Sequence, residues 1–252
     1  FFTNKGRVYW KKVHEIPEAG RMSRGKAIVN LLELKKRERI ATILSVRDFK
    51  EQQYVVMATR QGLVKKTELS QYSHPRPSGI VGVKIREEDE LIAVRISDGN
   101  QDIFLTTQRG KAIRFPESQI RSMGRASSGL IGIRMDSGDQ LVGMETLREG
   151  DTILTVTENG YGKRTRTEEY SPHSRGGKGV LTIKGTDRNG PVVYGYQVTD
   201  SDEVMIITGH GKIIRLRAGD ISIIGRNTQG FKLIDLGDGE KVVGVAKVME
   251  DE

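Results

Sequence analysis

The sequence predicts an all-β fold, a propeller-like ring of four-stranded blades of which five repeats are visible. Three observations carry that prediction. Gly6, Gly62, Gly110, Gly160 and Gly211 each close a short turn after an apolar stretch ending in Thr, at spacings of 56, 48, 50 and 51 residues. A second set of glycines, Gly25, Gly79, Gly129, Gly179 and Gly230, follows the first by 19, 17, 19, 19 and 19 residues. Two landmarks held in phase over this period mean one supersecondary unit used repeatedly, because a unit so small cannot bury its own apolar face alone. Composition agrees: with 30 Gly and only 6% aromatics, the chain suits many short strands joined by tight turns.

Each element of the unit can be justified in order. YVVMAT (54–59), DIFLTT (102–107), TILTVT (152–157) and EVMIIT (203–208) are rich in β-branched residues and free of Pro, which is strand chemistry on a buried surface. The turns RQG, QRG, ENG and GHG come next, and Asn159-Gly160 reads as a two-residue hairpin turn with positive φ at both positions. Returning strands begin at Leu63, Lys111, Tyr161 and Lys212. A polar connection leads to the second Gly and another strand: GIVGVKI from Gly79, GLIGIRM from Gly129, GVLTIK from Gly179 and GFKLIDL from Gly230. In the first repeat AIVNLLEL is the corresponding strand-like run. An acidic turn and a fourth apolar strand, starting at Leu91, Leu141, Val192 and Val242, close the unit. Four strands per repeat match a propeller blade; a linear β-solenoid is the competing arrangement, although its repeats are usually shorter. The expected organisation is one domain over residues 1–252, with units of about 1–50, 51–100, 101–149, 150–200 and 201–252. Phe1-Phe2-Thr3 reads as the tail of a strand, so the expectation is a fragment whose missing portion lay upstream.

Charge follows the repeat. Lys and Arg number 41 against 33 Asp and Glu, a formal net charge of +8. Four residues after the first Gly stand Lys66, Arg114, Arg164 and Arg215, with Trp10 in the first repeat; four before the second Gly stand Arg21, Arg125, Arg175 and Arg226, while Arg76 follows Pro75 in the remaining repeat. Arg24, Lys26, Lys65, Lys111, Lys163, Lys178 and Lys212 lie close by. Charge at fixed repeat positions implies a basic belt. Such a belt suits a long, uniform polyanion, above all double-stranded DNA held through its phosphates without base readout. Sparse aromatics near these positions speak against a stacking platform for single strands.

Other chemistries find little support. Cysteine is absent, which removes disulfides and thiolate metal sites. No run of about 18 apolar residues and no signal-peptide pattern occur, so the reading is a cytoplasmic chain without a membrane partner. Gly20 to Ala27, GRMSRGKA, approaches a phosphate loop, but Ala27 replaces the hydroxyl that would meet magnesium. His14, His74, His173 and His210 fall in different repeats without ligand spacing, and Glu87 to Glu90 form a turn cluster. No catalytic residue, metal or cofactor is expected. A protein-interaction propeller is the alternative to a DNA-binding one, and an enzyme using the ring's centre is a third reading.

The runs ENGYGKRT (158–165), RNTQG (226–230), VNLLEL (29–34) and FFTNKGRVYW resemble the C-terminal domain of the bacterial gyrase A family, the DNA-wrapping domain of DNA gyrase, with the corresponding topoisomerase IV domain as a close relative. The resemblance runs across essentially the whole chain. It implies a β-pinwheel, typically of six four-stranded blades, that wraps DNA with positive handedness to support negative supercoiling by a type II topoisomerase. It further implies a monomeric domain near the nucleoid, partnered by double-stranded DNA, by the rest of gyrase A and by gyrase B, with the catalytic tyrosine module and the ATPase elsewhere. The family's wrapping motif, Gln-Arg-Arg-Gly-Gly-Lys-Gly, normally lies in the first blade. Its nearest match here is SRGGKG, Ser174 to Gly179, in the fourth repeat, so the motif proper is expected upstream of Phe1.

Overall fold

The computed structural model describes residues 1–20, 23–49, 52–74, 76–148 and 150–248. The first repeat supplies β1 (Phe2–Thr3), β2 (Arg7–Val8) and β3 (Ile40–Thr42). The second supplies β4 (Tyr54–Thr59), β5 (Leu63–Glu68), β6 (Ile80–Val81) and β7 (Leu91–Ser97). The third supplies β8 (Asp102–Thr107), β9 (Lys111–Pro116), β10 (Leu130–Ile131) and β11 (Leu141–Leu147). The fourth supplies β12 (Thr152–Thr157), β13 (Tyr161–Arg166), β14 (Val180–Leu181) and β15 (Val192–Val198). The fifth supplies β16 (Glu203–Thr208), β17 (Ile213–Arg217), β18 (Phe231–Lys232) and β19 (Val242–Val248). Among the described residues helix is confined to short 3-10 turns, such as Leu69–Tyr72 and Thr167–Glu169. No helix among them is long and apolar enough to cross a membrane.

The fold class is the predicted one, but strand membership is not. The sheet orders are β3-β1-β2-β6, β10-β5-β4-β7, β11-β8-β9-β14, β15-β12-β13-β18 and β17-β16-β19. Each four-stranded sheet takes three strands from one repeat and one edge strand from the next. Thus Arg7 faces Val81 in the first sheet, and Gly162 faces Phe231 in the fourth. The strand after the second Gly is also only two residues long. It bends away at once, because the turn glycine of the preceding repeat takes up the following amides: Gly110 O accepts Thr182 N at 2.8 Å, and Gly160 O accepts Leu233 N at 2.8 Å. In the first repeat AIVNLLEL forms no strand; Ile28–Asn30 is a 3-10 turn.

The hairpin turns also depart from expectation. Asn159 does not adopt positive φ; only Gly160 does, at 80°. Thr157 O accepts Gly160 N at 3.0 Å, and Val156 faces Gly162, so the loop holds three residues, with glycine in the left-handed position. The same bond joins Thr59 to Gly62 and Thr107 to Gly110. At Leu63 and Lys111 the backbone N–H adds a bond to the Thr hydroxyl, each at 3.2 Å. The N–H bond recurs at Arg7 and Lys212, and in the fourth repeat the Thr157 hydroxyl instead donates to Tyr161 O at 3.2 Å, so the hydroxyl closes the turn in either sense.

The chain divides into two compact units, Phe1–Gly99 with Ile120–Leu130, and Asn100–Gln119 with Ile131–Glu252. In the first, Phe2, Val55, Met57, Tyr72, Val83 and Val94 share one core. In the second, Leu154, Val156, Val198, Val204, Ile206 and Ile234 share another. Central strands are buried on both faces, as the unbroken burial of β12 records; this is why they read as continuous apolar runs rather than alternating ones. Strand β15 packs against both β11 and β19, each at one edge of its sheet. The donated strands occupy the opposite edge in each four-stranded sheet, and the polar connections that carry the basic residues lead into them.

Candidate nucleic-acid interface

The two basic rows of the sequence have different fates. Lys66 and Arg164, four residues after the turn glycine, are buried, and Arg114 is half-buried. Arg114 Nε donates to Asp102 Oδ2 at 2.6 Å across its hairpin, and its Nη1 reaches Thr167 O of the next repeat at 3.2 Å. Arg164 Nε donates to Ile221 O at 2.8 Å and its Nη1 to Asp200 Oδ1 at 2.5 Å. Arg215 is exposed and pairs with Glu203. The ammonium of Lys66 lies 4.9 Å from the ring centroid of Tyr54. One residue earlier, Lys65 and Lys163 are fully buried. Desolvation pushes both ammonium groups down to about 8. A belt at these positions would need side chains that point to solvent, and strands covered on both faces bury Lys66 and Arg164 and leave only Arg215, on the last hairpin, exposed. This row stitches hairpins and neighbouring repeats together.

The loops before the second glycines are the accessible row. Arg125, Arg175 and Arg226 are half-buried, and Arg76 is exposed. Backbone bonds deliver each loop: Met123 N donates to Lys66 O at 2.9 Å, His173 N to Arg114 O at 2.8 Å and Ile224 N to Arg164 O at 2.9 Å. The first row therefore positions the second through its carbonyls. A local turn then presents the arginine. Ser127 Oγ donates to Gly124 O and Thr228 Oγ1 to Gly225 O, each at 2.8 Å. Each guanidinium also leans on the strand donated one repeat earlier, through Arg125 Nη1 to Val81 O at 3.3 Å, Arg175 Nη1 to Ile131 O at 2.5 Å and Arg226 Nη1 to Leu181 O at 3.1 Å. A guanidinium has five N–H donors, so these anchors leave others for a ligand.

A third row escaped the sequence reading. Lys84, Arg134 and Lys184 stand five residues after Gly79, Gly129 and Gly179, and all three are exposed. Their backbone N–H groups bond to the arginine loop of the next repeat: Lys84 to Ser127 O at 3.1 Å, Arg134 to Gly177 O at 2.9 Å and Lys184 to Thr228 O at 2.9 Å. Each side chain thus starts beside Arg125, Arg175 or Arg226. The in-phase spacing was present in the sequence, but only the strand exchange brings this position next to the following loop.

The remaining candidates scatter. Lys111 pairs with Asp136 at 2.6 Å, a contact that holds the Asp136 carboxyl below its usual range. Lys212 Nζ donates to Asp235 O at 2.9 Å. Lys178 is exposed within the loop that carries Arg175, and Arg24 and Lys26 are exposed after Gly20. Arg21 lies outside the described residues.

Comparison with known proteins places the chain. The family profile described as "DNA gyrase C-terminal domain, beta-propeller" matches residues 1–47, 53–98, 101–148, 151–193 and 202–249, one match per repeat. The DNA gyrase A subunit of Salmonella typhimurium is 47% identical over 249 residues, covering 99% of this chain and 28% of that protein. Its counterpart in Staphylococcus aureus is 47% identical over 254 residues, covering 100% of this chain and 29% of that protein. The chain therefore spans less than a third of the length of these relatives. Among solved structures, the C-terminal domain of DNA topoisomerase IV superposes with a TM-score of 0.90 at 29% identity, over 98% of this chain and 77% of that one. The DNA gyrase A C-terminal domain superposes with a TM-score of 0.87 at 25% identity, over 98% and 81%. With five in-register profile matches on five strand-exchanged repeats, the chain belongs to the DNA gyrase C-terminal domain family.

Proposed function

We propose that this chain binds double-stranded DNA through its phosphates, without reading base sequence, and wraps it as part of a gyrase-type topoisomerase. The observation that carries the reading is the pairing of Lys84, Arg134 and Lys184 with the loops of Arg125, Arg175 and Arg226, one cationic pair at each of the last three repeat junctions. Equivalent pairs at successive junctions match a ligand that repeats its own charge, and a phosphate backbone does so. Lys178 extends the second of these pairs. The other parts of the reading follow from the family: strand cleavage and ATP hydrolysis lie outside this chain, gyrase B and the remainder of gyrase A are its partners, and the setting is the bacterial cytoplasm.

A salt titration of duplex binding tests this. Log affinity is expected to fall linearly with log salt, with a slope of about 0.9 per phosphate neutralised, equally for unrelated sequences. Replacing Lys84, Arg134, Lys178 and Lys184 by Glu should weaken binding on the order of a hundredfold at moderate salt and flatten that slope. Binding that ignores salt, or that survives the four reversals, would sink the reading.

A further inference from the structure

We propose that Lys65 and Lys163 are positioning residues, buried ammonium clamps that hold the arginine loop of the following repeat in its DNA-binding conformation. The inference rests on the DNA-binding reading above and assigns a role to two residues that touch no ligand. Both stand three residues after a turn glycine, Lys65 on β5 and Lys163 on β13. Each points into the loop that leads to the strand donated to its own sheet. Lys65 Nζ donates to Gly82 O at 2.7 Å and to Arg125 O. Lys163 Nζ donates to Gly225 O at 2.6 Å and to Arg226 O at 2.8 Å. In both cases an acceptor is the carbonyl of the loop arginine itself. The ammonium holds that residue's backbone while its guanidinium reaches Val81 O or Leu181 O.

Stability alone does not account for lysine here. Burying an ammonium carries a desolvation cost that an apolar residue of similar size avoids. The chain contains that apolar solution: the third repeat has Ile113 at the equivalent position, fully buried, its Cδ1 3.3 Å from where a side chain on Gly177 would begin. The loop above Ile113 is tied instead by the exposed Gln119, whose Oε1 accepts Arg175 N at 2.6 Å and whose carbonyl accepts Arg175 Nε at 3.2 Å. The second, third and fourth repeats thus use two solutions, an ammonium that reaches the loop arginine's carbonyl from below, or an apolar side chain below with a glutamine brace outside. The charged neighbours are Arg125 beside Lys65, and Glu169 and Arg226 beside Lys163; Tyr72 shares the Gly82 carbonyl, its hydroxyl donating at 3.1 Å.

The test compares Lys65→Ile, Lys163→Ile and the double variant with the wild type in the whole protein. Duplex affinity is read by anisotropy, and amide exchange is read at Lys84 and Lys184, whose N–H groups bond to the clamped loops. Each single variant is expected to bind about fivefold more weakly, the double variant more weakly still, with faster exchange at the matching amide. The linear isosteres Lys65→Met and Lys163→Met replace any Ile variant that fails to fold. A folded variant with undiminished affinity overturns the proposal. So does weakened binding with unchanged amide protection, because the lysine would then act through its charge alone. Failure of the wild type to bind duplex at low salt would overturn the DNA-binding reading instead.

Discussion

Lys65 and Lys163 sit with their ammonium groups at about 8, held down by burial, whereas an unfolded chain keeps lysine at about 10.4. Between those values the unfolded state binds more protons than the folded one, so stability rises with pH across that window. Below about 8 both states carry the charge and the full cost of burying it remains. The expected outcome is a urea midpoint that climbs in the wild type, relative to the Lys65→Met, Lys163→Met double variant, from about pH 8 to about pH 10. A falling difference would contradict the burial argument. Residue identity at these positions was plain in the sequence, but side-chain fate was not. Lys65, Lys66, Lys163 and Arg164 fall in the predicted basic belt, yet they are buried. The repeat says which residues are equivalent; it does not say which equivalent position faces water.

At the scale of elements, strand exchange explains the second glycines. Gly179 adopts φ of 71°, and a Cβ there would stand 2.5 Å from Ala112 O, the neighbouring strand's backbone. Gly25 holds the same place in the repeat, but its φ is not positive and nothing lies within 4 Å. Gly179→Ala is therefore expected to cost about 1–3 kcal/mol while Gly25→Ala stays within about 0.5 kcal/mol, measured by chemical denaturation. Equal costs would mean that sequence position, not strand pairing, sets the requirement. The contrast also shows where sequence reasoning about elements stopped. The hairpin strands and the closing strands were legible to within a residue, because apolar runs and Thr–Gly turns mark them locally. The donated strands were read as longer and as belonging to their own repeat, because pairing is non-local: β6 joins β2 across more than seventy residues of chain.

At the scale of the whole molecule, the formal net charge of +8 favours association with polyanions in general, and under the proposed function the basic pairs at the last three repeat junctions suit a ligand that repeats its charge. The proposed function has two forms for this chain, one in which it wraps DNA and one in which it binds DNA without strong wrapping. Sealing nicked circular DNA with ligase in the presence of the chain distinguishes them. A linking-number change that grows with protein concentration is the expected result for wrapping, with a positive sign for the gyrase-type path. No change would leave duplex binding without wrapping.

The all-β class, the five-fold repeat, the hairpins and the rows of charge were all readable along the chain, since each depends on local chemistry recurring in phase. Three further matters emerged only on folding: which repeat owns each outer strand, which cations are buried as clamps, and that Lys84, Arg134 and Lys184 stand beside the arginine loops. Those outcomes depend on pairing between repeats and on burial from both faces of a sheet. Neither is encoded in the spacing of residues along the chain.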